Sequence, residues 1–129
     1  MHGLKQNQNM GWIGVDLDGT LNELRTGQGT RIGVPARPMM QRIRRWLREG
    51  REVRIFTARA ATADGVRAVQ SWLRAQGLPA LTVTNMTDSE MLQLWEDRAI
   101  RVVKNTGKIC AGCEKRHALT AEGQETITD

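Results

Sequence analysis

Tyrosine is absent from this chain, phenylalanine occurs once, and cysteine and histidine occur twice each. Cys110 and Cys113 share a single C-x-x-C, and two cysteines are too few for a disulfide scaffold. His117 adds a third candidate zinc ligand, but no fourth is nearby and His2 is remote in sequence. Structural zinc sites nearly always take four protein ligands, so the pair reads as two free thiols in a tail. No segment is apolar enough or long enough to cross a bilayer. Met1–Met10 is polar and reads as a loose leader without the apolar stretch of a signal peptide. The expectation is a cytoplasmic chain with no membrane partner. Four tryptophans beside one phenylalanine is unusual usage, and nothing functional follows from it. Internal repeats and a second domain are also missing.

What is present suits one folded unit. A length of 129 residues corresponds to a single domain. At this size roughly two-thirds of the unfolded surface is buried on folding. The formal net charge of +5 favours anionic partners: phosphorylated metabolites, nucleic acid or acidic surfaces. It does not choose among them, and it does not oppose a cation site, which local carboxylates decide.

The apolar pattern alternates between strand and helix. Gly11–Leu17 reads as a first, buried strand. Asn22–Pro38 is rich in Gly, Thr, Arg and Pro and reads as a loop. Pro38 can open a helix; Met39, Met40, Ile43, Trp46 and Leu47 then recur at helical spacing over Met39–Glu49, and Gly50 stops it. Val53, Ile55 and Phe56 form a second strand that ends at Thr57. Val66, Val69, Trp72 and Leu73 predict a helix over Ala63–Gln76, closed by Gly77 and Pro79. Leu81–Thr84 is a third strand. Asp88–Asp97 fits either a helical turn or a short strand. Ala99–Val103 reads as extended and is broken by Gly107. Lys108–Asp129 is either a docked helix or a tail. Strand, helix, strand, helix, strand predicts a parallel sheet with right-handed crossovers.

The chemistry concentrates where the first strand ends, in Asp16-Leu17-Asp18-Gly19-Thr20-Leu21. Open α/β sheets place ligands at the carboxyl ends of their strands. Two acids at i and i+2 on a strand share a face, and at a buried mouth their repulsion is costly unless a cation sits between them. An isolated Asp-Gly-Thr would be read simply as a turn. The whole segment, in its place after an apolar strand, resembles the first motif of the haloacid dehalogenase-like (HAD) superfamily.

That resemblance implies a division of labour. Asp16 would be the nucleophile, forming an aspartyl-phosphate, and Asp18 the general acid and then base. Mg²⁺ would remove charge repulsion between the nucleophile and a phosphate dianion. Asp at the second position leans toward phosphoester hydrolysis. Thr57, at the end of the second strand, matches the second motif, whose hydroxyl bonds the phosphoryl group. Arg59 has the reach to grip phosphate with a bidentate fork; a solvated arginine at a helix start is the competing reading. Gly19 falls to the phosphate-binding set as well. Glu96-Asp97-Arg98 resembles the fourth motif, the acidic pair that completes the Mg²⁺ site. Many relatives have Asp-Asp-Arg there. The extra methylene of Glu96 moves its carboxylate by about 1.5 Å unless the backbone compensates, so Asp97 is the safer ligand and Glu96 the alternative. The fourth motif taken alone is also readable as the charged end of an amphipathic segment.

The third motif, a Lys or Arg, is not evident. Thr84-Asn85-Met86-Thr87-Asp88-Ser89-Glu90 contains no basic residue, and Arg59, Arg98 and Lys104 are the nearest substitutes. A missing cation costs a few kcal/mol of transition-state stabilisation, on the order of other lost electrostatic contacts. The arginines on and around the first helix, with Arg44, Arg45 and Arg48 opposite Ile43, read as a solvated face, with nucleic-acid phosphate contact as the sharper alternative. Arg25 and Arg31, in the loop after the first motif, are better placed for a substrate's anionic tail.

The expected fold is α/β: one Rossmann-like three-layer domain over residues 1–107 with a central parallel sheet and no cap domain, then a tail or short helix over 108–129. The expected function is Mg²⁺-dependent phosphoester hydrolysis through an aspartyl-phosphate. The catalytic set is Asp16, Asp18 and Thr57, phosphate is bound by Thr57, Arg59 and Gly19, and the metal set is Asp16, Asp18 through its carbonyl, Glu96 and Asp97. The open mouth admits a large phosphorylated substrate, so a polynucleotide end phosphatase is one alternative. A catalytically weak phosphate- or nucleic-acid-binding module of the same fold is the other.

Overall fold

In the computed structural model, the residues described are 11–116, 118–119 and 125–126. Two compact units result, one ending at Asp97 and the other beginning at Arg98. The first is an α/β fold with a Rossmann-like layout. Its elements are β1 (Trp12–Asp16), α1 (Arg37–Arg48), β2 (Glu52–Phe56), a 3₁₀ turn (Ala58–Ala61), α2 (Ala63–Ala75), β3 (Thr82–Thr84) and β4 (Met91–Trp95).

The four strands form one sheet in the order β3-β2-β1-β4. Every pairing is parallel: Val15 sits opposite Ile55 on one side and opposite Trp95 on the other. The two central strands, β1 and β2, carry the β-branched residues that pack well inside a covered sheet. Met91, Leu92, Leu94 and Trp95, ambiguous in the sequence, become strand because β1 offers them a free edge. A register shift between Trp12 and Ile13 leaves Leu92 without a partner.

Helix boundaries follow local chemistry. Pro38 lies in the first turn of α1, where its missing N–H costs nothing. The Thr62 hydroxyl caps α2 by accepting the Gly65 N–H at 3.0 Å. Gly50 and Gly77 adopt positive φ just beyond the two helices, the conformation that ends helices most readily. Arg45 and Arg48 fall in the last turn of α1, where cations suit the helix dipole.

Both helices bury their apolar stripes against one face of the sheet. Met39, Met40, Ile43 and Trp46 of α1 and Val69 and Leu73 of α2 join Ile13, Val15, Val53 and Ile55 in a single core. Successive crossovers in the same direction, each right-handed, put both helices on that side. The alternate strand positions, Trp12, Gly14, Arg54 and Phe56, face the other way. Among the described residues of this unit, no helix covers them, so only one of the two helical layers expected from the sequence is seen. The reason is length. β3 connects to β4 through Asn85–Glu90 alone, which must cross the sheet and has no residues left for a helix. This strap is tied down by the Trp12 indole N–H, which donates to Asp88 at 2.9 Å, and by the Trp12 backbone N–H, which donates to the Glu90 carbonyl. The Arg54 guanidinium lies over the Trp12 ring, 4.4 Å from its centroid.

The second unit opens with a tight reversal. Val102 bridges Ile109, and the Cys110 N–H donates to the Arg101 carbonyl at 2.8 Å. Asn105 and Gly107 have positive φ at the turn. The Arg101 N–H also donates to Cys113 Sγ at 3.4 Å, which ties the reversal to α3 (Ala111–Arg116). A short antiparallel pair, β5 (Ala118–Leu119) and β6 (Glu125–Thr126), completes it. Cys110 and Cys113 are free thiols. Backbone N–H groups of Cys113 and Gly112 at the start of α3 hold the Cys110 thiol down at about 7. His2, the leader Met1–Met10 and His117 lie outside the described residues. Among those described, no helix is long and apolar enough to cross a membrane.

Candidate functional site

β1 delivers Asp16 to the carboxyl end of the sheet, and a single turn follows at once. The N–H groups of Thr20, Leu21 and Asn22 all converge on the Leu17 carbonyl, at 3.2, 2.9 and 3.0 Å. Gly19, at φ 86°, makes this turn possible. A Cβ there would stand 2.8 Å from Asp97 Oδ2, so any other residue would push that carboxylate aside. The Gly19 N–H donates to the Asn22 carbonyl at 3.0 Å. Its part in the site is therefore to let Asp97 approach, rather than to offer its N–H to a phosphate.

β4 brings Glu96 and Asp97 to the same level, since Trp95 pairs with Val15. Asp16, Glu96 and Asp97 each present a carboxylate oxygen, and these oxygens lie within 4.8 Å of one another. The Thr20 hydroxyl donates to Asp97 Oδ1 at 3.0 Å. Burial, then the charge of Glu96, then Asp97 raise the Asp16 carboxyl to about 6. Three carboxylates crowded this closely would repel one another. Oxygens around Mg²⁺ sit at about 2.1 Å from the ion, so opposite ligands are about 4.2 Å apart. The cluster therefore has the donors and the span to hold a divalent cation. The backbone brings Glu96 in despite its extra methylene, and both members of the acidic pair belong to the group.

The Asp18 side chain does not join that group. Arg59 Nε donates to its Oδ2 at 2.7 Å and Nη2 to its Oδ1 at 3.0 Å. The Asn22 amide adds a third donor at 3.2 Å. Burial raises the Asp18 pKa, but these hydrogen bonds and the Arg59 charge outweigh it and lower the carboxyl below its usual value. The two acids of the opening motif thus sit in opposed environments, Asp16 pushed up and Asp18 pushed down. Asp18 belongs to the expected metal set through its backbone carbonyl, and Arg59 engages only its carboxylate.

Arg59 is fixed from three directions. Its Nη1 donates to the Thr30 carbonyl, so it also fastens the loop that follows the first motif. Its backbone N–H donates to the Thr57 hydroxyl at 3.1 Å. Thr57 is buried directly beyond Phe56, the partner of Asp16 across the sheet. The two readings of Arg59 are thereby decided against simple solvation, since its guanidinium is engaged by a carboxylate. Arg25 and Arg31 line a groove of about 430 Å³ with Trp72 and Gln76.

The strap that stands where a third-motif cation was expected carries none. On it, Asp88 accepts from the Trp12 indole N–H and the Glu90 N–H and pairs with Arg54 at 3.6 Å. Arg98 and Lys104 belong to the second unit.

Asn22 is the site residue that sequence reasoning passed over. It is 1% exposed, steadies Asp18 through its amide, and leaves its own Oδ1 buried without a hydrogen-bond partner. The available signal was a polar residue four positions after Asp18, in a turn whose neighbour Leu21 is fully buried. Thr20 was quoted only as part of the motif; its hydroxyl proves to orient Asp97. No protein-family model, curated protein or solved structure matches this chain.

Proposed function

We propose that this chain is a Mg²⁺-dependent phosphoester hydrolase of HAD-like type. The observation that carries the reading is the convergence of Asp16, Glu96 and Asp97 at the carboxyl end of a parallel sheet, with the Asp16 pKa raised by burial and by the charge of Glu96. Bound there, Mg²⁺ would neutralise the carboxylates and polarise the phosphoryl oxygens.

In this reading an Asp16 oxygen attacks phosphorus in line with the leaving oxygen, and an aspartyl-phosphate forms as the ester bond breaks. The Thr57 hydroxyl holds the phosphoryl group at the end of β2. Asp18 serves the second half-reaction most directly. Ionised by Arg59, it is ready to take a proton from the water that hydrolyses the acyl-phosphate. To protonate the leaving alkoxide first, Asp18 must carry a proton that Arg59 opposes.

A second reading, a weakly catalytic phosphate- or nucleic-acid-binding module, is favoured by one observation. Among the described residues of the first unit, the cation at the mouth is Arg59, and it is already engaged by Asp18. Hydrolysis of p-nitrophenyl phosphate with Mg²⁺ separates the two. Turnover that needs Mg²⁺ and disappears in Asp16→Asn supports the hydrolase. A folded protein that turns over no member of a broad phosphoester panel leaves only the binding module.

A further inference from the structure

Arg42, Arg45 and Arg48 stand at i, i+3 and i+6 of α1, so they share one side of the helix. They rise along it in steps of about 4.5 Å. With Pro38 and Gln41 they line a groove of about 470 Å³. α1 contains no acidic residue. Among the described residues, none of the three arginines makes an ion pair. A solvated helix face usually intersperses both signs, because like charges one turn apart weaken the helix. This row has one sign only.

The row is also connected to the mouth. Arg42 lies over the Trp95 ring, 5.4 Å from its centroid, and Trp95 packs edge-on against Trp46 of α1 at 5.2 Å. Trp95 is the last residue of β4, immediately before Glu96 and Asp97. α1 starts near the mouth, where Ala36 bonds Leu21, and runs back antiparallel to β1. The row therefore begins where Arg42 meets Trp95, two residues before Asp97, and leads away from the mouth.

We infer that Arg42, Arg45 and Arg48 form a track for the sugar-phosphate backbone of a nucleic-acid strand whose phosphorylated end enters the mouth at Asp16. The substrate assignment rests on the hydrolase reading above; the track itself does not. A small phosphate ester, or a peptide with one phosphate, fills the mouth and leaves the row without a partner. A polyanion with charge repeating along its length answers every arginine in turn.

The test uses the full chain and a labelled single-stranded DNA oligonucleotide with a terminal phosphate, titrated between 50 and 200 mM salt. The track predicts salt-sensitive binding. In Arg45→Gln/Arg48→Gln, binding weakens at least tenfold, and the slope of log K against log salt falls by about 1.4, roughly 0.7 for each contact removed. Arg45→Lys/Arg48→Lys keeps most of the affinity, since phosphate attraction follows charge. Arg67→Gln/Arg74→Gln on α2, an equal change in net charge, binds as the wild type does. Absence of wild-type binding, equal losses in both Gln pairs, or a Lys pair as weak as the Gln pair would each overturn the track. Wild-type turnover of p-nitrophenyl phosphate is read alongside. Absence of turnover here and across the phosphoester panel removes the hydrolase reading and leaves the track to be judged on binding alone.

Discussion

The guanidinium of Arg59 grips the carboxylate of Asp18 with two hydrogen bonds, 2.7 and 3.0 Å long, across 41 residues of sequence. The pair joins the turn after β1 to the turn after β2. Through Thr30 it also ties in the intervening loop. Three segments of the mouth thus share one cation.

Removing that cation leaves a partly buried carboxylate with the Asn22 amide as its remaining side-chain donor. Arg59→Gln is expected to cost about 1–2 kcal/mol at pH 7, a little below the range for charged hydrogen bonds because both side chains are about one-quarter exposed. The sign follows from the lowered Asp18 pKa. The pair stabilises the fold above the unfolded value of 3.8, and its contribution disappears as pH falls through the lower folded value. Urea midpoints for wild type and variant should therefore differ at pH 7 and converge once pH falls below the lowered folded value. Equal midpoints at pH 7 would show that the pair contributes nothing.

Asp16 behaves in the opposite sense. Its folded pKa of about 6 lies above the unfolded 3.8, so the unfolded chain ionises first as pH rises. Without a cation, stability falls between those two values and levels off above them. Taken at face value the shift is about 3 kcal/mol; partial exposure reduces this to about 1–2 kcal/mol. Asp16→Asn should accordingly stabilise the EDTA-treated protein at pH 7 by that amount and make no difference below pH 4. Millimolar Mg²⁺ should raise the melting temperature of the wild type and leave the variant nearly unmoved. Calorimetry with and without Mg²⁺ checks both halves, and a variant less stable than wild type in EDTA contradicts the crowded-carboxylate account.

In the second unit, Cys110 should alkylate with a pH midpoint near 7, well below that of an ordinary thiol. Stopped iodoacetamide labelling of a Cys113→Ser variant, read by mass from pH 5.5 to 9, measures it. A midpoint above 8 would mean that the N–H groups of Gly112 and Cys113 do not support the thiolate.

Much of the fold was readable because core residues obey a period. Ile13 and Val15, or Met39, Met40, Ile43 and Trp46, declare strand and helix by spacing alone. β4 was not readable, since Met91, Leu92, Leu94 and Trp95 satisfy both periods and only pairing with β1 decides. The missing helical layer was implicit in the short interval from Thr84 to Met91, a length argument that the periodic pattern concealed. At the site, Asp16, Glu96 and Asp97 were recognisable from residue type and place. The redirection of Asp18 toward Arg59 was not, because it depends on two loops meeting. Nor was the contact of Arg42 with Trp95, which joins a helix face to the end of a strand far along the chain.

The strap leaves β4 in a distinctive position. Among the described residues it is an edge strand, paired with β1 on one side only, and the strap that leads into it contains no helix. Edge elements of this kind are the first to open in a folded sheet. When β4 peels away, Glu96 and Asp97 leave Asp16 with it. An ion that bridges these carboxylates therefore works as a clasp on the sheet, and closing the seam and loading the mouth become one equilibrium. A substitution that loosens β4 will read as weaker cation binding while touching no ligand.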